Sequence, residues 1–241
     1  MKRILLIVVL LLLISVATTS AQEITPQPME AAASDGLALK GDFYTSGDAP
    51  QPAVLLMHMN GSNRQSWEPV IPDLIGAGYA VLTVDLRGFG DTGSATDWNA
   101  AVADVQTWLD WLRTQPSVRP EAISIMGASI GSNLALVGCA ADEACVTAIA
   151  ISPGLDYFGV QPLEAITEGL EDRSALLIAA QRDSESRNAL RAMAQEADGE
   201  IGIQLYDSSM HGTPLFNPQR IGTHLRQIIL AWLQSHTPEP E

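Results

Sequence analysis

Basic residues are scarce in this chain. Lys and Arg number 13 against 28 Asp and Glu, for a formal charge of −15, and no Lys/Arg cluster offers a local exception. Such a surface repels phosphate backbones, so nucleic acid is excluded as a partner, and long-range steering of anionic substrates is disfavoured. Cysteine is nearly absent too. Cys139 and Cys145 are the only two, and neither has the nearby histidine that a cysteine nucleophile or a zinc site needs. No His/Asp/Glu/Cys cluster falls at ligand spacing, so neither metal nor cofactor is expected. Beyond residue 21 no apolar run approaches the 18 or so residues that span a bilayer. Internal repeats and linkers are missing as well, which leaves one domain.

The one long apolar run lies at the start. Lys2 and Arg3 precede an unbroken apolar stretch over residues 4–14, and small residues follow to Ser20-Ala21. That layout predicts a secretory signal peptide over residues 1–21, cleaved after Ala21, with an uncleaved anchor as the alternative. The mature protein, about 220 residues, is then secreted or periplasmic. In that oxidising setting Cys139 and Cys145 can close a short loop as a disulfide, the alternative being two buried thiols. Residues 22–35, polar and proline-containing, read as a flexible leader to a domain over residues 36–236.

What fills that domain is an alternation of two patterns. Short apolar runs at residues 53–58, 79–85, 122–126, 146–152 and 175–180 read as strands buried on both faces. Residues 37–44 and 201–206 alternate as more exposed strands do. Helical spacing marks residues 67–77, 98–113, 186–196, 218–235 and the segment after Ser129. This order predicts an α/β fold of three layers, with a mostly parallel sheet between helices. Between Ser152 and Ala175 the signal fades over about 22 residues, too few for a large helical lid; Tyr157, Phe158 and Leu163 are left to form a small rim.

In open α/β sheets, ligand sites form beyond the carboxyl ends of strands. His58, Asp85, Ser129, Asp183 and His211 all lie just past such ends. Ser129 occupies Gly127-Ala128-Ser129-Ile130-Gly131, the G-x-S-x-G spacing of a sharp strand-to-helix turn that projects a hydroxyl. A serine hydroxyl needs a base, and the base needs an acid to hold its tautomer. Of four histidines, His224 falls within a helix and His236 in the tail, which leaves His211 as the base. Asp183 is the first choice of acid, with Asp156 and Asp207 as alternatives.

Those residues, in the order nucleophile, acid, histidine, resemble the α/β-hydrolase superfamily, and within it the small lidless esterases and dienelactone-hydrolase-like members. His58-Met59-Asn60-Gly61 is similar to the oxyanion loop of that family, and Asp85-Leu86-Arg87-Gly88-Phe89-Gly90 to its D-x-R-G-x-G turn. The resemblance spans residues 36–234. It implies catalysis by Ser129, Asp183 and His211, with an oxyanion hole formed by the amides of Ile130 and Asn60; Met59, which stands where the family commonly has glycine, is the second choice of donor. It also implies structural roles for His58, Asp85 and Arg87, and hydrolysis of small or medium carboxylic esters without a cofactor. A peptidase, a lactone hydrolase and a non-catalytic binding protein are the competing expectations.

Overall fold

The computed structural model describes residues 24–47, 49–171 and 173–240, so the expected signal peptide lies outside the described residues. Eight strands form one sheet: β1 (Gln27–Ala32), β2 (Ala38–Tyr44), β3 (Gln51–Met57), β4 (Ala80–Val84), β5 (Val118–Ala128), β6 (Cys145–Ile151), β7 (Ser174–Ala180) and β8 (Ile201–Tyr206). Their spatial order is β1-β2-β4-β3-β5-β6-β7-β8. The two pairings that involve β2 are antiparallel and all others are parallel. Five helices cover it: α1 (Ile71–Gly76), α2 (Trp98–Arg113), α3 (Ile130–Ala140), α4 (Ser184–Glu196) and α5 (Gln219–His236).

The continuous apolar runs are explained by two cores. Leu55 and Met57 of β3 point toward α2, α3 and α4, where Leu109, Leu134 and Leu190 are buried. Their neighbours Val54 and Leu56 point the other way, toward α1 and α5 with Leu74, Leu225 and Ile229. Successive side chains of a strand face opposite sides, so a strand between two cores must be apolar throughout.

Two expectations are corrected. The flexible leader is in part a strand, since residues 27–32 pair in register with β2. Only Ala31 of β1 is fully buried, so an edge strand here carries almost no hydrophobic signal, and Pro28 is tolerated because an edge leaves one side unpaired. The helix expected over residues 67–77 is broken into a 3-10 turn at Arg64–Trp67 and the short α1. Pro69 lacks an N–H, and Pro72 fits the first turn of a new helix better than the interior of an old one. The segment between β6 and β7 holds one π-helical turn, Ala165–Gly169.

Cys139 and Cys145 are joined as a disulfide that ties the end of α3 to the start of β6. The same corner is held twice more. Arg113 forms a two-pronged ion pair with Asp142, both contacts at 2.7 Å. Arg173 donates to the carbonyls of Cys139, Asp142 and Gly169 at 2.7, 2.6 and 2.6 Å. No helix among the described residues is long and apolar enough to cross a membrane.

Candidate active site

The sheet delivers Ser129 on a strained turn. β5 ends at Ala128 and α3 begins at Ile130, so the reversal falls on one residue, with φ 54° and ψ −124°. A non-glycine residue at positive φ costs of order 1–3 kcal/mol and persists only where its surroundings hold it. Here the Ser129 N–H donates to the Ile151 carbonyl of β6 at 2.8 Å. Its carbonyl accepts from the Ser132 N–H at 2.8 Å and the Ser132 hydroxyl at 2.5 Å. The flanking glycines are required by space: a β-carbon on Gly127 would collide with the Gly131 carbonyl, and one on Gly131 with the carbonyls of Met57 and His58.

Two further strand ends bring His211 and Asp183 to the same point. Asp183 caps the N-terminus of α4 just past β7, accepting from the Ser186 N–H at 3.4 Å. Its other carboxylate oxygen lies 2.7 Å from His211 Nδ1, and His211 Nε2 lies 2.8 Å from Ser129 Oγ. A carboxylate only accepts, so the proton resides on Nδ1 and Nε2 is free to accept from the serine hydroxyl. Ser129 is 8% exposed, and the side chains of Asp183 and His211 are 11% and 35% exposed. The histidine loop turns at Gly212, φ 67°, whose N–H donates to the buried Ser152 hydroxyl at 2.9 Å.

The alternative acids are engaged elsewhere. Asp156 accepts from the Gly159 N–H and Gln161 Nε2 at 2.8 and 2.7 Å. Asp207 is exposed and pairs with Arg182. His224 meets the Tyr206 hydroxyl at 3.0 Å, and His236 stacks on Trp232.

The other strand-end residues hold the loops around the site. His58 is fully buried; its Nδ1–H donates to the Met59 carbonyl at 2.8 Å and its Nε2 accepts from the Leu86 N–H at 3.0 Å. Burial pushes its pKa below the ordinary histidine value, which keeps it neutral. Asp85 accepts from the N–H groups of Arg64 and Asp91 at 2.9 and 2.8 Å, and the Arg64 guanidinium joins it to Asp42 and Asp91. Arg87 grips both oxygens of Asp104 at 2.7 Å. On the loop after β3, Asn60 is exposed while Met59 is half-buried, its sulfur 3.7 Å from the Thr213 hydroxyl. Ile130 opens α3, where the first N–H groups of a helix have no partner within it. Among the described residues no group of three His, Cys, Asp or Glu side chains is placed to hold a metal.

Sequence reasoning missed Ser186 and Asn133 and saw Tyr157 only as a rim residue. Ser186 Oγ lies 3.5 Å from His211 Nδ1 and 3.3 Å from the Tyr157 hydroxyl. Tyr157 sets its ring edge-to-face with His211, centroids 6.2 Å apart. Burial, aided by the Glu185 and Asp183 carboxylates, raises the phenol pKa, against hydrogen bonding from the Ser186 and Ser129 side chains. The ring has room because Gly154 has no β-carbon, which would sit 2.6 Å from it. Asn133 of α3, fully buried, pins this loop: its amide donates to the carbonyls of Gly154 and Val160 at 3.0 and 2.8 Å and accepts from the Gly154 N–H at 3.1 Å. A buried, fully bonded asparagine is the signal that such a clamp leaves in a sequence, but only when its partners are known.

A strained serine turn on a central parallel strand, with an imidazole and a carboxylate from later strand ends, defines a class of α/β proteins. The model of the alpha/beta hydrolase family matches residues 54–236, and the chain belongs to that family. Polyketide transferase ATR5 of Stachybotrys chlorohalonatus is 29% identical over 170 residues, 69% of this chain and 54% of the relative. The chain spans about half the length of the curated relatives it matches. An esterase from Pyrococcus furiosus superposes with a TM-score of 0.75 at 17% identity, covering 89% of this chain and 92% of the esterase. A dienelactone hydrolase from Anabaena variabilis does so with a TM-score of 0.71 at 20% identity, covering 88% and 99%. At these identities the two structures speak for the fold alone.

Proposed function

We propose that the protein is a serine hydrolase that cleaves small or medium carboxylic esters through an acyl-enzyme. The observation that carries this reading is the unbroken chain of contacts from Ser129 through His211 to Asp183, at 2.8 and 2.7 Å. Ser129 Oγ attacks the ester carbonyl while His211 Nε2 takes its proton, and Asp183 stabilises the imidazolium that forms. The negative charge on the carbonyl oxygen is met by the Ile130 amide and by an amide of the loop after His58, assigned to Asn60 with Met59 as the alternative. His211 then returns the proton to the leaving alcohol. A water activated by the same nitrogen attacks the acyl carbon and frees Ser129. No step uses a metal or an organic cofactor.

Export accompanies this reading: residues 1–21 are removed after Ala21, and the mature enzyme acts in the periplasm or outside the cell. The disulfide agrees with an oxidising compartment. Lactones and thioesters present the same acyl carbon to the same nucleophile and belong in any substrate panel.

The test is covalent capture. A fluorophosphonate should phosphonylate Ser129 and no other serine, with labelling lost in Ser129→Ala and strongly reduced in His211→Ala. A native protein that resists labelling and turns over no ester, thioester or lactone refutes the reading.

A further inference from the structure

A line of aromatic contacts runs from the end of β3 to the histidine of the site. His58 meets Phe89 edge-to-face with centroids 5.5 Å apart, Phe89 meets Trp98 at 5.9 Å, and Trp98 stacks on Phe158 at 5.1 Å with 16° between planes. Phe158 adjoins Tyr157, whose ring meets His211. Aromatics make up only 5% of the chain, so their gathering in one line that ends at His211 is not a matter of composition.

Phe158 is the informative member. Its backbone sits at φ 55°, in the left-handed region, and the residue is 56% exposed. A bulky residue at positive φ is a true outlier, and an exposed phenyl forgoes the burial that normally stabilises one. A residue present only for packing would incur neither cost. The Asn133 clamp and the paired bridge between Tyr157 and Val160 hold the loop that presents it. One face of the ring lies on Trp98, and the exposed area belongs to the remainder. Leu155, Leu163 and Met210, also exposed, lie on the same loop segment and directly before His211.

We infer that the free face of Phe158, backed by Trp98, receives a flat aromatic group of the substrate, so the site selects aryl-bearing esters over saturated ones of equal size. The inference rests on the proposed hydrolase reading. Offset stacking of two aromatic rings adds to simple burial by an amount equivalent to about a 2- to 10-fold preference.

The experiment uses two matched pairs of esters with similar leaving groups and volumes. Methyl phenylacetate against methyl cyclohexylacetate places the ring on the acyl side; benzyl acetate against cyclohexylmethyl acetate places it on the alcohol side. In at least one pair the phenyl member should be favoured in kcat/KM by about 2- to 10-fold, chiefly through KM. The pair that shows the preference identifies which side of the ester lies on Phe158. Phe158→Leu should bring the ratio to about 1 by lowering kcat/KM for the phenyl ester more than for the cyclohexyl one, and Trp98→Leu should reduce the ratio in the same direction. Turnover with no phenyl preference in either pair, or a preference that survives both substitutions, overturns the inference and leaves the hydrolase reading standing. Absence of both turnover and fluorophosphonate labelling removes the reading beneath it, and the inference with it.

Discussion

Asp183→Asn changes one charge and almost no volume, and the structure indicates how the amide will settle. Asp183 Oδ1 accepts from the Ser186 N–H, and Oδ2 faces His211 Nδ1. An asparagine that keeps its oxygen toward Ser186 must turn its NH2 toward Nδ1. The imidazole then carries its proton on Nε2, which donates to Ser129 Oγ and can no longer accept from it. Loss of that tautomer, with loss of the charge that balances the imidazolium, should lower kcat by about 10³- to 10⁴-fold, or roughly 4–5.5 kcal/mol of barrier. KM should barely change, because the carboxylate lies behind the imidazole and is largely buried. Stability should hold, since asparagine caps a helix about as well as aspartate. Initial rates on a methyl ester followed by pH-stat, with thermal melts on the same samples, give all three quantities. Asp156→Asn and Asp207→Asn serve as controls and should stay within about twofold of the parent. A folded Asp183→Asn enzyme within tenfold of the parent would refute the assignment of Asp183 as the orienting acid.

Two further outcomes concern stability. Replacing both Cys139 and Cys145 by alanine removes a cross-link across a sequence separation of 6; by chain entropy this costs about 2 kcal/mol, or about 4–8 °C in Tm. Ester turnover at 25 °C should persist, because Arg113 and Arg173 grip the same corner; an unchanged Tm counts against the cross-link as a stabiliser. His58, whose pKa folding lowers by burial, gives a pH dependence of defined sign. Between its folded pKa and the unfolded value of about 6.5, the unfolded chain binds the extra proton. Its stability contribution is therefore complete above about 6.5 and declines as pH falls below it, by up to about 1.4 kcal/mol per pH unit. Urea unfolding between pH 8 and 5 should show that slope in the parent and a shallower one in His58→Gln, and equal slopes would refute it.

Much of this site can be read from the sequence because its chemistry sits at strand ends. Buried parallel strands are continuous apolar runs, so the first polar residues after them stand out, and that picks out Ser129, Asp183 and His211 as candidates. His211 was reached by elimination, which works only because histidines are few. The cysteine bridge was legible from the short spacing taken together with the expected oxidising compartment. What escaped was structure without periodicity. β1 is held by backbone pairing to β2 with one buried side chain, so its residues look like a leader. The helix before β4 was overextended because its apolar spacing runs on through prolines that break it. The loop carrying Tyr157 is tied to the body by an asparagine on another element, and Ser186 matters through contacts that only the fold creates. The proposed second oxyanion amide lies in a loop that departs from the family at Met59, and no pattern chooses between neighbouring backbone groups.

Asn133 stands on α3, the helix that starts immediately after Ser129, and it holds the loop that carries Tyr157 and Phe158. The Ser129 hydroxyl and the loop that carries Tyr157 and Phe158 are thereby bolted to one helix. In the proposed reading, recognition and reaction then share a reference frame. On the same reading, substitutions at Phe158 should retune substrate choice while the serine keeps its place.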